Sequence, residues 1–564
     1  MRHERPSNVG EARSSALWGK GSGGQSRGSA LWGRGGRSSI ALLALVLSVV
    51  IPAAGIAGPE NTRALVPGDL ISEAQAQPDK IFRVIVQGDQ LNGKSDDVAN
   101  VARSEGGDPK RVFKSLVGAS VEVSGKDLLK LARHPQISAI TRDERLSLVG
   151  NGDWDAQIPK DGEMWRDSIN AKSLWGGLLS PAPQAPAIAI VDTGIDATKV
   201  GDFGTRIVAR ANFSSLEPNA LGDPSGHGTM VAGVAAGNSD LAPGVARNAR
   251  LVDVRVASSK GEALTSDIVA AVDWILANKS AYNIRVANFS LVGTTAVSFR
   301  FDPLDKAVEK LWLNGVVVVA AAGNNGSSNG AVGIGAPAND PFVITVGALD
   351  QAETSSVSDD TRASWSAYGP TADGFMKPDV SAPGRYMVMP VPMNAAMPAQ
   401  KANRVVKPGY MWMSGTSFSA PIVAGAAAQI LARSPGFTPD QVKGALLLKA
   451  RYLASADPGS GVGEIDAGAS ASVSSPPNPN ANLYQFVANG TFDAEAWVSH
   501  VTASANWTQS NWTSANWTSA NWVSSNWVSS NWVSSNWVSS NWVSSNWTAS
   551  NWTASNWTVG TDAE

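Results

Sequence analysis

The sequence predicts an α/β fold: a doubly wound, mostly parallel sheet, preceded by a small α+β unit and followed by a low-complexity tail. Three observations point there. Short runs rich in Val, Ile and Ala at 187–191, 251–256, 285–289, 316–322 and 342–346 read as strands buried on both faces, as a parallel sheet requires. Runs of helical length at 266–278 and 303–314 fall between them as crossover helices. Glycine, at 55 of 564 residues, together with abundant alanine, suits close packing of those helices on the sheet.

In chain order, residues 1–57 read as an export segment. Seven Lys or Arg against two Glu in residues 1–39 precede an apolar stretch at 40–51, and the mostly small residues at 53–58 offer a cleavage region. The stretch 40–57 approaches bilayer-spanning length, so an uncleaved anchor is the other reading. Residues 58–79 read as a linker. Residues 80–147 then alternate as strand 81–87, helix 95–103, one or two strands within 112–123, helix 125–132 and strand 137–141. That is the order of a β-α-β-β-α-β sandwich.

Residues 150–472 hold the main α/β domain, whose loops at the carboxyl ends of the strands are where such sheets gather their working residues. Residues 473–502, opened by Ser474-Ser475-Pro476-Pro477, read as a linker. Residues 503–560 repeat a five-residue unit with eleven tryptophans from Trp507 to Trp557, each preceded by asparagine. A period of five fits neither the strand nor the helix. The readings are unstructured low complexity, an array binding a cell surface or polysaccharide, or a solenoid.

Three segments carry chemistry: A-I-V-D-T-G-I-D ending at Asp196, S-G-H-G-T-M-V-A-G around His227, and S-G-T-S-F-S-A-P around Ser417. A serine hydroxyl attacks an amide only if an imidazole removes its proton as the bond forms, and that imidazole needs a carboxylate on its other nitrogen. Ser417 is the candidate nucleophile, at a helix start containing Pro421. His227 is the candidate base. Asp192 is the candidate carboxylate, at the end of a buried strand. A fourth segment, G-V-V-V-V-A-A-A-G-N-N-G from Gly315 to Gly326, delivers Asn324 at another strand end, where an amide donor could stabilise an oxyanion together with the Ser417 N–H.

At each of these points the chain resembles the subtilisin family, with the order Asp, His, Ser and an asparagine between His and Ser. K-P-D-V-S-A-P-G from Lys377 to Gly384 and A-N-F-S-L-V-G from Ala287 to Gly293 are similar to further segments of that family. The resemblance implies a secreted serine endopeptidase made as a self-processed zymogen, with residues 80–147 as its inhibitor-like propeptide. It also implies that Ser290, Leu291, Val292 and Gly293 wall the first specificity pocket, that Gly335 lies near its base, and that Gly261 begins the facing substrate strand. A glycine at the base predicts tolerance for large apolar side chains. Glu262 beside Gly261 is either a recruiter of basic residues or a solvated carboxylate.

Two departures from the family stand out. The turn after the His227 segment, Asn238-Ser239-Asp240, is too short for the calcium loop found there in many subtilisins. No cofactor is required, and a structural calcium would sit at a site the sequence does not assign. The stretch 385–413 carries six methionines, which read as core filling or as an oxidation-sensitive cleft rim.

Composition narrows the partners. A net charge of −3 gives no basis for binding nucleic acid. The absence of cysteine argues against a disulfide-stabilised eukaryotic secretory domain and points to a secreted or cell-surface bacterial protein. The expected partners are polypeptide substrates, the chain's own propeptide, and a cell surface or polysaccharide through the tail.

Overall fold

The computed structural model describes residues 64–148, 164–177, 180–293, 297–326, 333–352, 354–453 and 457–503. The export segment expected at 1–57 and the tryptophan repeat lie outside the described residues. No helix among the described residues is long and apolar enough to cross a membrane.

The N-terminal unit is built on strand Ile81–Gln87, flanked antiparallel by Gly118–Ser124 and Ala139–Arg142, with Asp108–Val112 at the edge. Helices Ser95–Ser104 and Gly125–Leu131 complete the expected order. The linker expected at 58–79 is instead folded where it is described. Helix Gly68–Ala76 places Leu70, Ile71 and Ala74 in the core of this unit, because one apolar stripe recurs at helical spacing.

The central sheet runs Thr361–Arg362, Ile344–Asp350, Val317–Ala321, Ile284–Phe289, Ala187–Asp192, Leu251–Arg255, Ile207–Asn212, and Val380–Pro383 also pairs with Ile344–Asp350. Every pairing is parallel except that of Thr361–Arg362. Ala187–Asp192 is buried at every position, as its unbroken apolar run demands. The chain runs from this strand to one side, then returns past it to Ile284–Phe289, so the strand lies at the point where the winding reverses. Helices pack as two pairs, His227–Ala236 on Thr416–Arg433 and Thr265–Tyr282 on Pro303–Leu313, each pair against the sheet.

Residues 473–502, expected to be a linker, are part of the fold. They form a 3-10 turn at Ala481–Phe486, a hairpin of Val487–Ala488 with Thr491–Phe492, and helix Ala494–Ala503. Phe492 and Trp497 are buried against Phe299, Phe342 and Phe375. Widely spaced aromatics in a polar, proline-opened stretch carry no periodic signal, so only tertiary contact reveals their role. Four of the methionines, Met387, Met389, Met411 and Met413, fill the core from the strands Met387–Pro390 and Tyr410–Met413, and Met393 alone of the six is exposed.

Candidate active site

Asp192 ends its strand, and the chain turns at once through Gly194, whose φ of +113° favours glycine. The turn brings the Asp192 carboxylate to His227, the first residue of helix His227–Ala236. Asp192 Oδ1 and His227 Nδ1 are 2.7 Å apart, and both side chains are wholly buried. Gly228 permits this closeness, since a Cβ there would lie 2.2 Å from the Gly194 carbonyl. With the carboxylate accepting at Nδ1, His227 Nε2 is left buried without a hydrogen-bond partner.

Asp223, which the sequence reasoning missed, ties the two segments together. Its carboxylate accepts from the Thr193 hydroxyl at 2.7 Å, the Gly226 N–H at 2.8 Å, and the Thr229 N–H and hydroxyl at 2.8 and 2.6 Å. Thr193 in turn accepts from the Gly228 N–H at 2.9 Å. Burial pushes the Asp223 carboxyl up, against the lowering effect of these donors. Four residues before a histidine was the available signal, but an aspartate in a glycine-rich loop is ordinarily a turn residue.

Ser417 lies in the first turn of helix Thr416–Arg433, where backbone N–H groups have no intrahelical acceptor. Its hydroxyl donates to the Ser290 carbonyl at 3.0 Å, and the Ser290 hydroxyl donates back to the Ser417 carbonyl at 2.8 Å. The Phe418 ring packs 5.4 Å from the His227 ring. Asn324 follows strand Val317–Ala321 and Gly323. Its side-chain oxygen accepts from the Thr416 N–H and hydroxyl at 2.9 and 3.0 Å, which orients the amide and leaves Nδ2 buried without a partner. Asp192 thus meets His227, and Asn324 meets the residue before Ser417, while Ser417 and His227 are not hydrogen-bonded to each other and are joined through the packing of Phe418 on the imidazole.

The predicted substrate residues converge. The Gly293 N–H donates to the Ala336 carbonyl at 2.8 Å, joining segment Ser290–Gly293 to the segment holding Gly335. Between the strands Glu262–Leu264 and Leu291–Val292 lies a third, the chain's own Arg145–Leu148, antiparallel to both. The Leu148 N–H donates to the Gly261 carbonyl at 2.9 Å. Leu146 and Leu148 are buried while Arg145 and Ser147 face outward. The N-terminal unit is fastened nearby: Asp143 accepts from the Ser266 N–H and hydroxyl at 2.9 and 2.7 Å, and Arg111 pairs with Asp267 at 2.7 Å.

In the turn after helix His227–Ala236 the Asn238 side-chain oxygen accepts from Arg247 at 2.8 Å, and the exposed Asp240 carboxylate lies 3.7 Å from the same guanidinium. No group of three or more potential metal-ligating carboxylates or imidazoles forms among the described residues.

The chain is similar to known proteins. The model of the subtilase family matches residues 184–467. Serine protease AprX of Bacillus subtilis is 39% identical over 271 residues, covering 45% of this chain and 59% of that protein. Subtilisin NAT of Bacillus subtilis subsp. natto is 32% identical over 360 residues, 63% of this chain and 81% of that one. In fold, the chain is similar to fervidolysin of Fervidobacterium pennivorans, a keratinolytic enzyme related to subtilisin, with a TM-score of 0.54 and 20% identity over 75% of this chain and 64% of that one. The chain therefore spans less than two thirds of AprX and of fervidolysin. With a family match over the whole sheet and its helices, the chain belongs to the subtilase family, the subtilisin-like serine peptidases.

Proposed function

We propose that the chain is an exported serine endopeptidase that cuts itself to release residues 64–148 and thereafter hydrolyses polypeptides through an acyl-enzyme. The observation that carries this reading is the strand Arg145–Leu148 lying in the cleft. Ser147 faces Val292 and Leu148 faces Leu291, so a peptide continuing this register by one residue meets Ser290, whose carbonyl accepts from Ser417. The bond then presented for attack is the one between residues 149 and 150.

The chemistry follows from the groups present. A peptide residue facing Ser290 offers its own N–H to that carbonyl, freeing the Ser417 hydroxyl to turn to His227 Nε2. The imidazole takes the hydroxyl proton as the oxygen attacks the peptide carbonyl, and Asp192 stabilises the imidazolium. The new oxyanion is met by Asn324 Nδ2 and the Ser417 N–H. Collapse expels the amine, which takes the proton from His227, and water repeats the sequence to free Ser417. No metal or cofactor enters this reaction. Polypeptides are its substrates, residues 64–148 its first inhibitor, and the tail beyond residue 503 a surface or polysaccharide contact.

Intact-mass measurement of purified wild-type and Ser417→Ala protein tests the reading. The wild type should lose everything before residue 150 while Ser417→Ala retains it. Equal masses at that end would overturn self-processing.

A further inference from the structure

The strand held in the cleft carries a charge that the cleft answers. Ser147 lies directly opposite Glu262 and Arg145 opposite Leu264, so Arg145 and Glu262 are diagonal neighbours on the outward face of the three-stranded sheet. The Arg145 guanidinium reaches the Glu262 carboxylate at 3.0 Å. Leu146, by contrast, faces Ala263 and is buried. The Glu262 backbone is fixed by the turn below it, where the Ser258 N–H donates to the Glu262 carbonyl at 2.8 Å and the Gly261 N–H to the Ser258 carbonyl at 2.9 Å. The carboxylate is thus carried on a rigid strand edge. Once residues 64–148 leave, Arg145 leaves with them and Glu262 faces whatever peptide next fills the cleft.

We infer that Glu262 is a specificity residue that favours substrates with Arg or Lys at the fifth residue before the cut, counting the acyl residue as the first. This rests on the peptidase reading and on the register set by Arg145–Leu148. In that register residue 149 is the first, Leu148 the second, Ser147 the third, Leu146 the fourth and Arg145 the fifth. The pair is partly exposed, with side chains 62% and 39% accessible, so the preference is modest and weakens with salt. Lys260, exposed two residues away in the same turn, is the nearby charge that opposes it.

The test uses self-processed, full-chain enzyme and three quenched fluorogenic peptides, X-Leu-Ser-Leu-Val-Gly-Asn-Gly, with X as Arg, Gln or Glu. Wild-type kcat/KM at low ionic strength should favour Arg over Glu by about two- to fivefold, as expected for a partly exposed ion pair. The ratio should approach one in Glu262→Gln, invert in Glu262→Lys, and shrink in wild type as salt is raised. Product masses should place the cut after Val in every peptide. An Arg-to-Glu ratio that is the same in wild type and Glu262→Gln would overturn this inference while leaving the peptidase reading standing, as would a cut at a different bond. Failure to cleave any peptide would overturn both.

Discussion

Thr416 donates both its backbone N–H and its hydroxyl to the side-chain oxygen of Asn324, at 2.9 and 3.0 Å. The residue before Ser417 therefore orients an amide whose nitrogen is left buried without a partner. Replacing Asn324 by Leu should lower kcat by roughly 10²–10³ with a smaller effect on KM, the size one preorganised oxyanion donor carries. Thr416→Val removes one of the two orienting bonds and should show the same kcat-weighted loss at smaller size. Steady-state kinetics on one short peptide checks both, and unchanged kcat in Asn324→Leu would exclude the role.

Asp223 holds the acid and the base in register without touching either. Asp223→Ala leaves four donors without their acceptor and should cost about 2–4 kcal/mol, seen as a lowered Tm. Asp223→Asn keeps an acceptor and should lose less. A Tm for Asp223→Ala equal to that of the parent would contradict this role.

The Asp192, His227, Asn324 and Ser417 segments were legible in the sequence because each joins a fully apolar strand or helix to a glycine turn. Asp223 was not, since its loop carries no periodicity and its partners lie on two segments, at Thr193 and at Gly226 and Thr229. The edge strand Ile207–Asn212 also escaped notice, because it is only half buried and reads as mixed polar chain. Arg145–Leu148 alternates exposed and buried, but four residues are too few to distinguish a strand from chance. Its meaning comes from the two strands on either side.

The carboxyls of Asp305, Glu309 and Asp340, all buried, and of half-buried Asp302 lie where helix Pro303–Leu313 packs against the turn before Phe342. Burial pushes Asp302 and Asp340 up to about 6, and it raises Asp305 and Glu309 well above the usual carboxylate range, where neighbouring carboxylates add to the effect on these two. Half-buried Lys306, pushed down to about 8 by desolvation, is a cation beside them. Raised carboxyl pKa values mean that the folded state holds these protons more tightly than the unfolded chain. Their contribution to stability is present below about pH 4 and is lost as pH rises through 6. Asp305→Asn should flatten the fall in Tm between pH 4 and 7, measured in a Ser417→Ala background to prevent digestion. Parallel Tm profiles would count against it.

Truncation should separate the two parts of the C-terminal region. Ending the chain at Ala503 should leave peptide hydrolysis and Tm nearly unchanged. Ending it at Ser475 also removes Asn480, which donates to Asp440 at 2.8 Å, as well as Tyr484, Phe492 and Trp497. That variant should lose several degrees of Tm, since burying a tryptophan alone is worth about 3–5 kcal/mol. Equal Tm for the two truncations would show that residues 476–503 do not support the fold.

In the proposed reaction Ser417 is a nucleophile made reactive by His227. A serine-directed fluorophosphonate applied to the self-processed enzyme, with the adduct mapped by peptide mass spectrometry, measures this directly. The expected result is a single adduct on Ser417, in step with loss of peptidase activity. It should be absent in Ser417→Ala and slowed by orders of magnitude in His227→Ala. Full inactivation with the adduct on another residue, or undiminished labelling of Ser417 in folded His227→Ala protein, would rule out these roles for Ser417 and His227.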